Sequence, residues 1–301
     1  MIVSATDGEV TVNTERVEFR AEDGTSLVGI LRRPAGATRA VTFTGPFTGV
    51  KEQVVGTYAD ALARAGFATL AFDHRNYGES GGAIRRHEDA AGKLTDLRAA
   101  VGHLGALGFQ RIGLTGVCLG GGYALKAAAQ DPRVAALACV AGAYPGAPGS
   151  FAHRGGAYRE ALRDIWDHAW TEDGQPVYQK AVTDDGGPAA MMGAEPFEYY
   201  GTERSYSPHW ENSVTVASGY QTMTVDTLAA ADLISPTPLL VVHGTTDEFC
   251  SPEGAKAVYD RAGEPKKIVW LPTTNHIDLY DVPEFVHQAV DELTAFFSEH
   301  L

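Results

Sequence analysis

The segment Gly113-Leu114-Thr115-Gly116-Val117-Cys118-Leu119-Gly120-Gly121-Gly122-Tyr123 sets a cysteine at the centre of a glycine-flanked turn. Apolar residues lead into it as in a buried strand, and Tyr123, Ala124 and Ala127 follow with helical spacing. This is the strand-turn-helix pattern G-x-S-x-G that presents a nucleophile, with Cys in place of Ser. The chemistry it suggests is attack of a thiolate on a carbonyl through an acyl-Cys intermediate. Such a turn pushes its central side chain above a sheet, and bulk at 116 or 120 would collide with neighbouring backbone. The sulfur then lies at a helix N-terminus, where the dipole and free N–H groups favour a thiolate. The N–H of Leu119 would face the developing oxyanion. Cys139, inside the apolar run Ala136 to Val140, reads as a small buried hydrophobe, and Cys250 as a packing residue.

A nucleophile of this kind needs a base, and the base needs an orienting acid. In this strand-turn-helix context the chain order is nucleophile, acid, histidine. Asp247 follows the apolar run Val241-Val242-His243, at the strand end where catalytic loops collect in open sheets, with Glu248 as the weaker alternative. His276 lies in the loop after Ile268 to Leu271 and is the expected base. Among the ten histidines, His243 reads as a packing residue and His74 as framing the site. His87, His103, His287 and His300 read as solvated, and His153, His168 and His209 as candidates for touching substrate. A second oxyanion N–H is expected from the loop Thr44 to Val50. Pro46 has no N–H, which leaves Phe47.

Elements must hold these residues in place. Ala40 to Thr44, Phe67 to Phe72, Arg111 to Thr115, Val134 to Val140, Pro238 to His243 and Lys267 to Leu271 are short, nearly continuous apolar runs, the mark of parallel strands buried on both faces. Val10 to Val12 and Val17 to Phe19 alternate and predict opening antiparallel strands, followed by Ser26 to Leu31. Helical faces intervene at Val54, Tyr58, Leu62 and Ala65, at Leu94, Leu97, Val101 and Leu104, and at Val282, Val286, Val290, Leu293 and Phe297. Strands alternating with helices predict an α/β fold with a mostly parallel, doubly wound, eight-stranded sheet.

The alternation stops between Pro145 and Ser235, too long a stretch for a structureless loop. It predicts a helical cap over residues 145–235, inserted between core segments 1–144 and 236–301. Trp166, Trp170, Tyr199, Tyr200 and Trp210 are its candidate substrate-binding aromatics. The cap carries thirteen acids against five bases in a chain of formal net charge −14. An acidic surface argues against nucleic-acid and anionic-lipid partners and, at the cap, against docking of an acidic carrier protein. No run is long and apolar enough for a membrane span. Met1 to Val10 shows no basic leader, and three cysteines make no disulfide framework, so the expected location is the cytoplasm. The Cys and His spacings suggest no metal site, and no phosphate or dinucleotide motif implies a cofactor. The sequence leaves a homo-oligomer open.

Gly116-Val117-Cys118-Leu119-Gly120-Gly121 resembles the elbow of the dienelactone hydrolases, α/β-hydrolase-fold enzymes with a Cys-Asp-His triad. Gly49-Val50-Lys51-Glu52-Gln53, Phe72-Asp73 with Tyr77 to Gly82, and Asn275 to Asp281 resemble a capped branch of that superfamily that includes polyketide transferases. The resemblance implies acyl transfer from a Cys thioester, to water or to an alcohol or amine. Three readings follow: a hydrolase of ester, lactone or thioester bonds in a largely apolar small-molecule acyl substrate, an acyltransferase or cyclase, or an inactive binding homologue.

Overall fold

The computed structural model describes residues 11–150 and 155–301. The expectations placed on Met1 to Val10, Phe151 and His153 lie outside them. The chain opens with β1 (Val12–Arg20), β2 (Ser26–Pro34) and β3 (Arg39–Thr44), then α1 (Val54–Arg64), β4 (Ala68–Phe72), α2 (Ala90–Ala106), β5 (Arg111–Val117), α3 (Leu119–Ala128) and β6 (Val134–Val140). After the intervening segment come β9 (Leu239–Gly244), α7 (Pro252–Arg261), β10 (Lys266–Leu271), α8 (Asp278–Asp281) and α9 (Pro283–His300). Eight strands pair in the order β1-β2-β4-β3-β5-β6-β9-β10. β2 is antiparallel to both β1 and β4, and all other neighbours are parallel. The two short opening strands expected from alternation are one strand. β1 pairs residue for residue with β2, from Val12 opposite Pro34 to Arg20 opposite Ser26, so the partner's length sets its own.

The continuous apolar runs arise because the sheet is covered on both faces. In β6, Leu137 and Cys139 face a core shared with Leu97, Tyr123 and Val258 of α2, α3 and α7. Ala136, Ala138 and Val140 face the opposite core, built with Tyr58 of α1 and Phe297 of α9. Leu239 and Val241 of β9 divide from Leu240 and Val242 in the same way. On the expected helical faces, Val54, Tyr58, Leu62, Leu97, Leu104, Leu293 and Phe297 are fully enclosed, while Ala65 is exposed. Each enclosed large side chain contributes about 1.5–3 kcal/mol against leaving it in water.

Between β6 and β9 the chain forms α4 (Gly156–His168), β7 (Tyr178–Gln179), α5 (Ala194–Tyr200), β8 (Val214–Thr215) and α6 (Ser218–Thr224), with 3-10 turns at Glu203–Ser205 and Leu228–Leu233. β7 and β8 pair as a small antiparallel sheet. The segment is fastened to the rest of the chain by polar contacts. Arg204 donates to both Asp281 oxygens at 2.6 and 2.7 Å, and the Gln53 amide donates to the Ser205 carbonyl at 3.1 Å. Among the described residues no helix is long and apolar enough to cross a membrane.

Candidate active site

Cys118 sits between β5 and α3 with φ 54° and ψ −126°, a backbone conformation that L residues rarely adopt. Its N–H donates to the Val140 carbonyl at 3.1 Å, and its carbonyl accepts from the N–H groups of Gly121 and Ala143 at 2.8 and 2.7 Å. The turn closes because its flanks lack side chains. A Cβ on Gly116 would lie 2.3 Å from the Gly120 carbonyl oxygen, and one on Gly120 would lie 2.2 Å from that of Thr44.

Asp247 lies in the loop after β9 and His276 in the loop after β10. The His276 Nδ1 is 2.6 Å from Asp247 Oδ2, with both side chains almost wholly enclosed. Asp247 Oδ1 accepts the N–H groups of Phe249 at 2.9 Å and Cys250 at 2.7 Å, so both carboxylate oxygens are engaged. The His276 Nε2 is 2.9 Å from the Tyr280 hydroxyl and 3.8 Å from the Cys250 sulfur. The sulfurs of Cys118 and Cys250 are 3.6 Å apart, and both lie within 4.8 Å of a ring nitrogen of His276. Cys118, Asp247 and His276 are thus brought together from three separate loops at the same end of the sheet.

Electrostatics separates the three cysteines. The S–H of Cys250 donates to the Cys118 sulfur, burial opposes this, and the His276 charge assists, with the result that Cys118 lies well below an ordinary thiol. Burial would lower His276, but the Cys118 charge and the Asp247 hydrogen bond outweigh it and raise His276 to about 10. The pair therefore favours thiolate and imidazolium. Burial, and then the neighbouring Cys118, push Cys250 well above an ordinary thiol. Burial alone pushes Cys139 up to about 12.

Cys118 and His276 open on a cavity walled by Pro46, Met191, Glu195, Pro196, Tyr200, Phe249, Ile277 and Tyr280. Of the five aromatics expected to contact substrate, Tyr200 lines this cavity. Tyr199 packs behind it, edge-on to both Tyr200 and Tyr280 with ring centres 4.8 Å apart. Trp210 stacks on Tyr200 at 5.6 Å. Trp166 and Trp170 stand outside the lining at 77% and 46% exposure: α4 buries none of its residues and presents Trp166 to solvent, and Trp170 follows α4 in a bridge to Pro176. Leu119 opens α3 directly after Cys118, and Phe47 lies in the turn after β3, at the positions expected of oxyanion donors. Among the described residues neither N–H is bonded to a protein acceptor.

The sequence reading missed Cys250, Tyr280, Phe249, Met191 and Glu195. Only Tyr280 lies in a stretch that the sequence singles out, Asn275 to Asp281. His87 and His103, expected in solvent, are half-buried, bonded to Thr215 and stacked on Phe19 respectively. Behind the site, the Lys51 ammonium is enclosed 2.7–2.8 Å from Glu52, Asp73 and Glu79, while His209 bonds Glu52 at 2.9 Å. This cluster fixes the loop Asp73 to Gly82 through Asp73, which also accepts the Lys51 and Glu79 N–H groups. Two trios of metal-type ligands lie within mutual reach among the described residues. In one, Glu52-Glu79-His209, the Lys51 ammonium already supplies the cation. The other is Cys118-Cys250-His276.

The fold and this geometry can be set beside known proteins. An uncharacterized protein of Pseudomonas aeruginosa is 33% identical, covering 96% of this chain and 81% of its own. A crystal structure of a hypothetical Pseudomonas aeruginosa protein superposes with a TM-score of 0.86 at 30% identity over the whole of both chains. Polyketide transferase grgF of a Penicillium species is 29% identical over 94% of this chain and 97% of its own. The crystal structure of the α/β hydrolase GrgF from Penicillium superposes with a TM-score of 0.79 at 26% identity, covering 96% and 99% of the two chains. Thiohydrolase aneE of Aspergillus aculeatus is 26% identical over 86% and 85%. The family model described as serine aminopeptidase, S33, matches residues 48–282, which span the elbow, the Asp247 loop and the His276 loop. The chain therefore belongs to this α/β-hydrolase family and carries cysteine at its elbow.

Proposed function

We propose that the protein hydrolyses ester, lactone or thioester bonds through a Cys-Asp-His triad of the dienelactone hydrolase type. Cys118 attacks the carbonyl carbon, and the N–H groups of Leu119 and Phe47 receive the developing oxyanion. His276 passes its proton to the leaving group, then takes one from the water that releases the acyl group, and Asp247 holds the imidazole throughout. The observation that carries this reading is Cys118 beside His276, itself 2.6 Å from Asp247, at the floor of one cavity. The cavity wall is mostly apolar, which fits a neutral, largely apolar acyl group, and Glu195 on the wall opposes an anionic one. The test is intact-mass detection of an acyl adduct after brief exposure to an activated thioester. An adduct on Cys118 that is absent from Cys118→Ala, whose turnover falls by at least about 10³-fold, is expected. Full turnover by Cys118→Ala would sink the proposal.

Acyl transfer or cyclisation is the second reading. Phe249 also lines another cavity, of about 160 Å³, together with Tyr144, Ser150, Thr222, Met223, Cys250 and Ser251. It offers room for an acceptor alcohol or amine on the far side of Cys250, whose sulfur is 3.6 Å from that of Cys118, and two of the relatives are named for a transferase and a thiohydrolase. Formation of the free acid alone, with candidate acceptors in excess, would exclude transfer. Failure of both chemistries would leave the inactive binding homologue.

A further inference from the structure

Cys250 has no part in the triad, yet its sulfur touches the nucleophile. We propose that Cys118, Cys250 and His276 form a binding site for one soft divalent cation of the Zn²⁺ class. We further propose that occupation of this site excludes acyl chemistry at Cys118. The binding site stands on geometry alone, and only the exclusion rests on the function proposed above.

Zn²⁺ takes thiolate sulfur at about 2.3 Å and imidazole nitrogen at about 2.0–2.1 Å in tetrahedral array, which puts paired sulfurs about 3.8 Å apart and sulfur and nitrogen about 3.6 Å apart. The Cys118–Cys250 sulfur separation is 3.6 Å, and Cys250 lies 3.8 Å from the His276 Nε2. The third edge, Cys118 to His276, lies within 4.8 Å and closes by side-chain rotation. The outer shell is also in place. Asp247 holds the Nδ1 of His276 at 2.6 Å, the carboxylate-histidine arrangement that fixes the ring with its other nitrogen toward a metal. The same carboxylate accepts the Cys250 N–H at 2.7 Å, so it orients two of the three ligands. Two sulfurs and an imidazole select Zn²⁺, Cd²⁺ or Co²⁺ over Mg²⁺ and Ca²⁺, which require oxygen. The fourth position opens on the cavity. The Tyr280 hydroxyl, now 2.9 Å from Nε2, gives up that hydrogen bond when the nitrogen turns to the ion. The Cys118 sulfur accepts the Cys250 S–H and brings no proton of its own, so the protons displaced are those of the Cys250 thiol and the His276 Nε2, and they leave to solvent. A Cys-His pair alone supplies two ligands, and Cys250 turns the pair into a three-point chelate.

The test titrates Co²⁺ into the freshly reduced full-length protein and then displaces it with Zn²⁺. The expected result is one ion per chain, with thiolate-to-cobalt charge transfer and tetrahedral ligand-field bands. Cys139→Ser should bind as the parent does. Cys250→Ala should lose at least about 100-fold in affinity, since even outer-shell changes cost 10–100-fold. A cobalt spectrum without thiolate bands, or an affinity within about threefold of the parent in a folded Cys250→Ala, overturns the site. A second measurement uses the unmodified chain, so it holds even if that variant does not fold. Saturating Zn²⁺ should shield both Cys118 and Cys250 from a maleimide, read peptide by peptide, and unchanged labelling of the two overturns the site. Full thioester turnover by the zinc-loaded protein overturns the exclusion. Zinc binding as described, with no acyl turnover in either state, refutes the function proposed above and leaves the metal site standing.

Discussion

Asp247→Asn is the perturbation whose outcome the geometry defines most sharply. Asp247 is acceptor-only and meets three donors: the imidazole at Oδ2, and the N–H groups of Phe249 and Cys250 at Oδ1. An amide has one acceptor end. If its NH₂ faced the two backbone N–H groups, two enclosed donors would lose their partner, at about 1–3 kcal/mol each. If it faces the ring, both backbone donors keep their acceptor and one contact only reverses direction, so the amide oxygen stays on the backbone pair. The NH₂ then donates to Nδ1, which forces the ring proton onto Nε2. His276 so arranged cannot take a proton from Cys118, and the charge that helps hold it at about 10 is gone. A wrong-tautomer change of this kind costs about 10⁴-fold in a Ser-His-Asp enzyme. Loss of a charge-assisted hydrogen bond costs about 1.5–3 kcal/mol of stability, within the 5–15 kcal/mol of an ordinary domain, so the variant folds. The assay is turnover of an activated thioester together with the rate of Cys118 alkylation by iodoacetamide at neutral pH. Both should fall, turnover by about four orders of magnitude. Turnover within tenfold of the parent, in a variant with a native melting transition, would show that Asp247 does not set the tautomer of His276.

Alkylation should also discriminate among the thiols. Cys118 lies well below an ordinary thiol, so its thiolate is retained as pH falls below 9 and its labelling stays fast at neutral pH, while Cys139, pushed up to about 12 by burial, stays unlabelled; peptide mapping across pH reads both, and equal labelling would contradict the assignment. Because the folded value of Cys118 is depressed, its stabilising contribution is full above pH 9 and is lost as pH falls through the folded value, which chemical denaturation of the parent and Cys118→Ala across pH measures. Lys51→Met leaves Glu52, Asp73 and Glu79 without their enclosed cation and should lower stability by about 3–5 kcal/mol in urea unfolding, where a change below about 0.5 would show the cluster to be dispensable. Trp166→Ala, at a position 77% exposed, should leave stability within about 0.5 kcal/mol and KM unchanged, and a severalfold rise in KM would place that side chain on the substrate after all.

The buried strands are legible in the sequence because burial on both faces leaves a continuous apolar run, and Arg111–Val117 and Leu239–Gly244 fall within two residues of where those runs place them. The elbow is legible because its glycines answer to local backbone contacts. The segment between β6 and β9 is legible only as an interruption. Its helices α5 and α6 have only seven residues each, its aromatics divide between interior and surface, and nothing local distinguishes Tyr200 from Trp166. Cys250 is illegible for a different reason. Its partner in space is 132 residues away, and a lone thiol after an acidic loop carries no periodicity. Tertiary folding alone makes it a neighbour of Cys118.

At residue 118 the backbone is fastened on both sides, its N–H to β6 and its carbonyl to Gly121 and Ala143. No loop has to move for the side chain to change, so the atom at the tip of residue 118 is exchangeable cargo on a fixed mount. On such a mount serine and cysteine are interchangeable without refolding around the change. What makes the exchange durable is the company the new atom keeps, and here Cys250 supplies a hydrogen-bond donor that suits sulfur. The residue facing the elbow from the loop after β9, Cys250, is therefore the one whose replacement would leave the Cys118 sulfur without its donor.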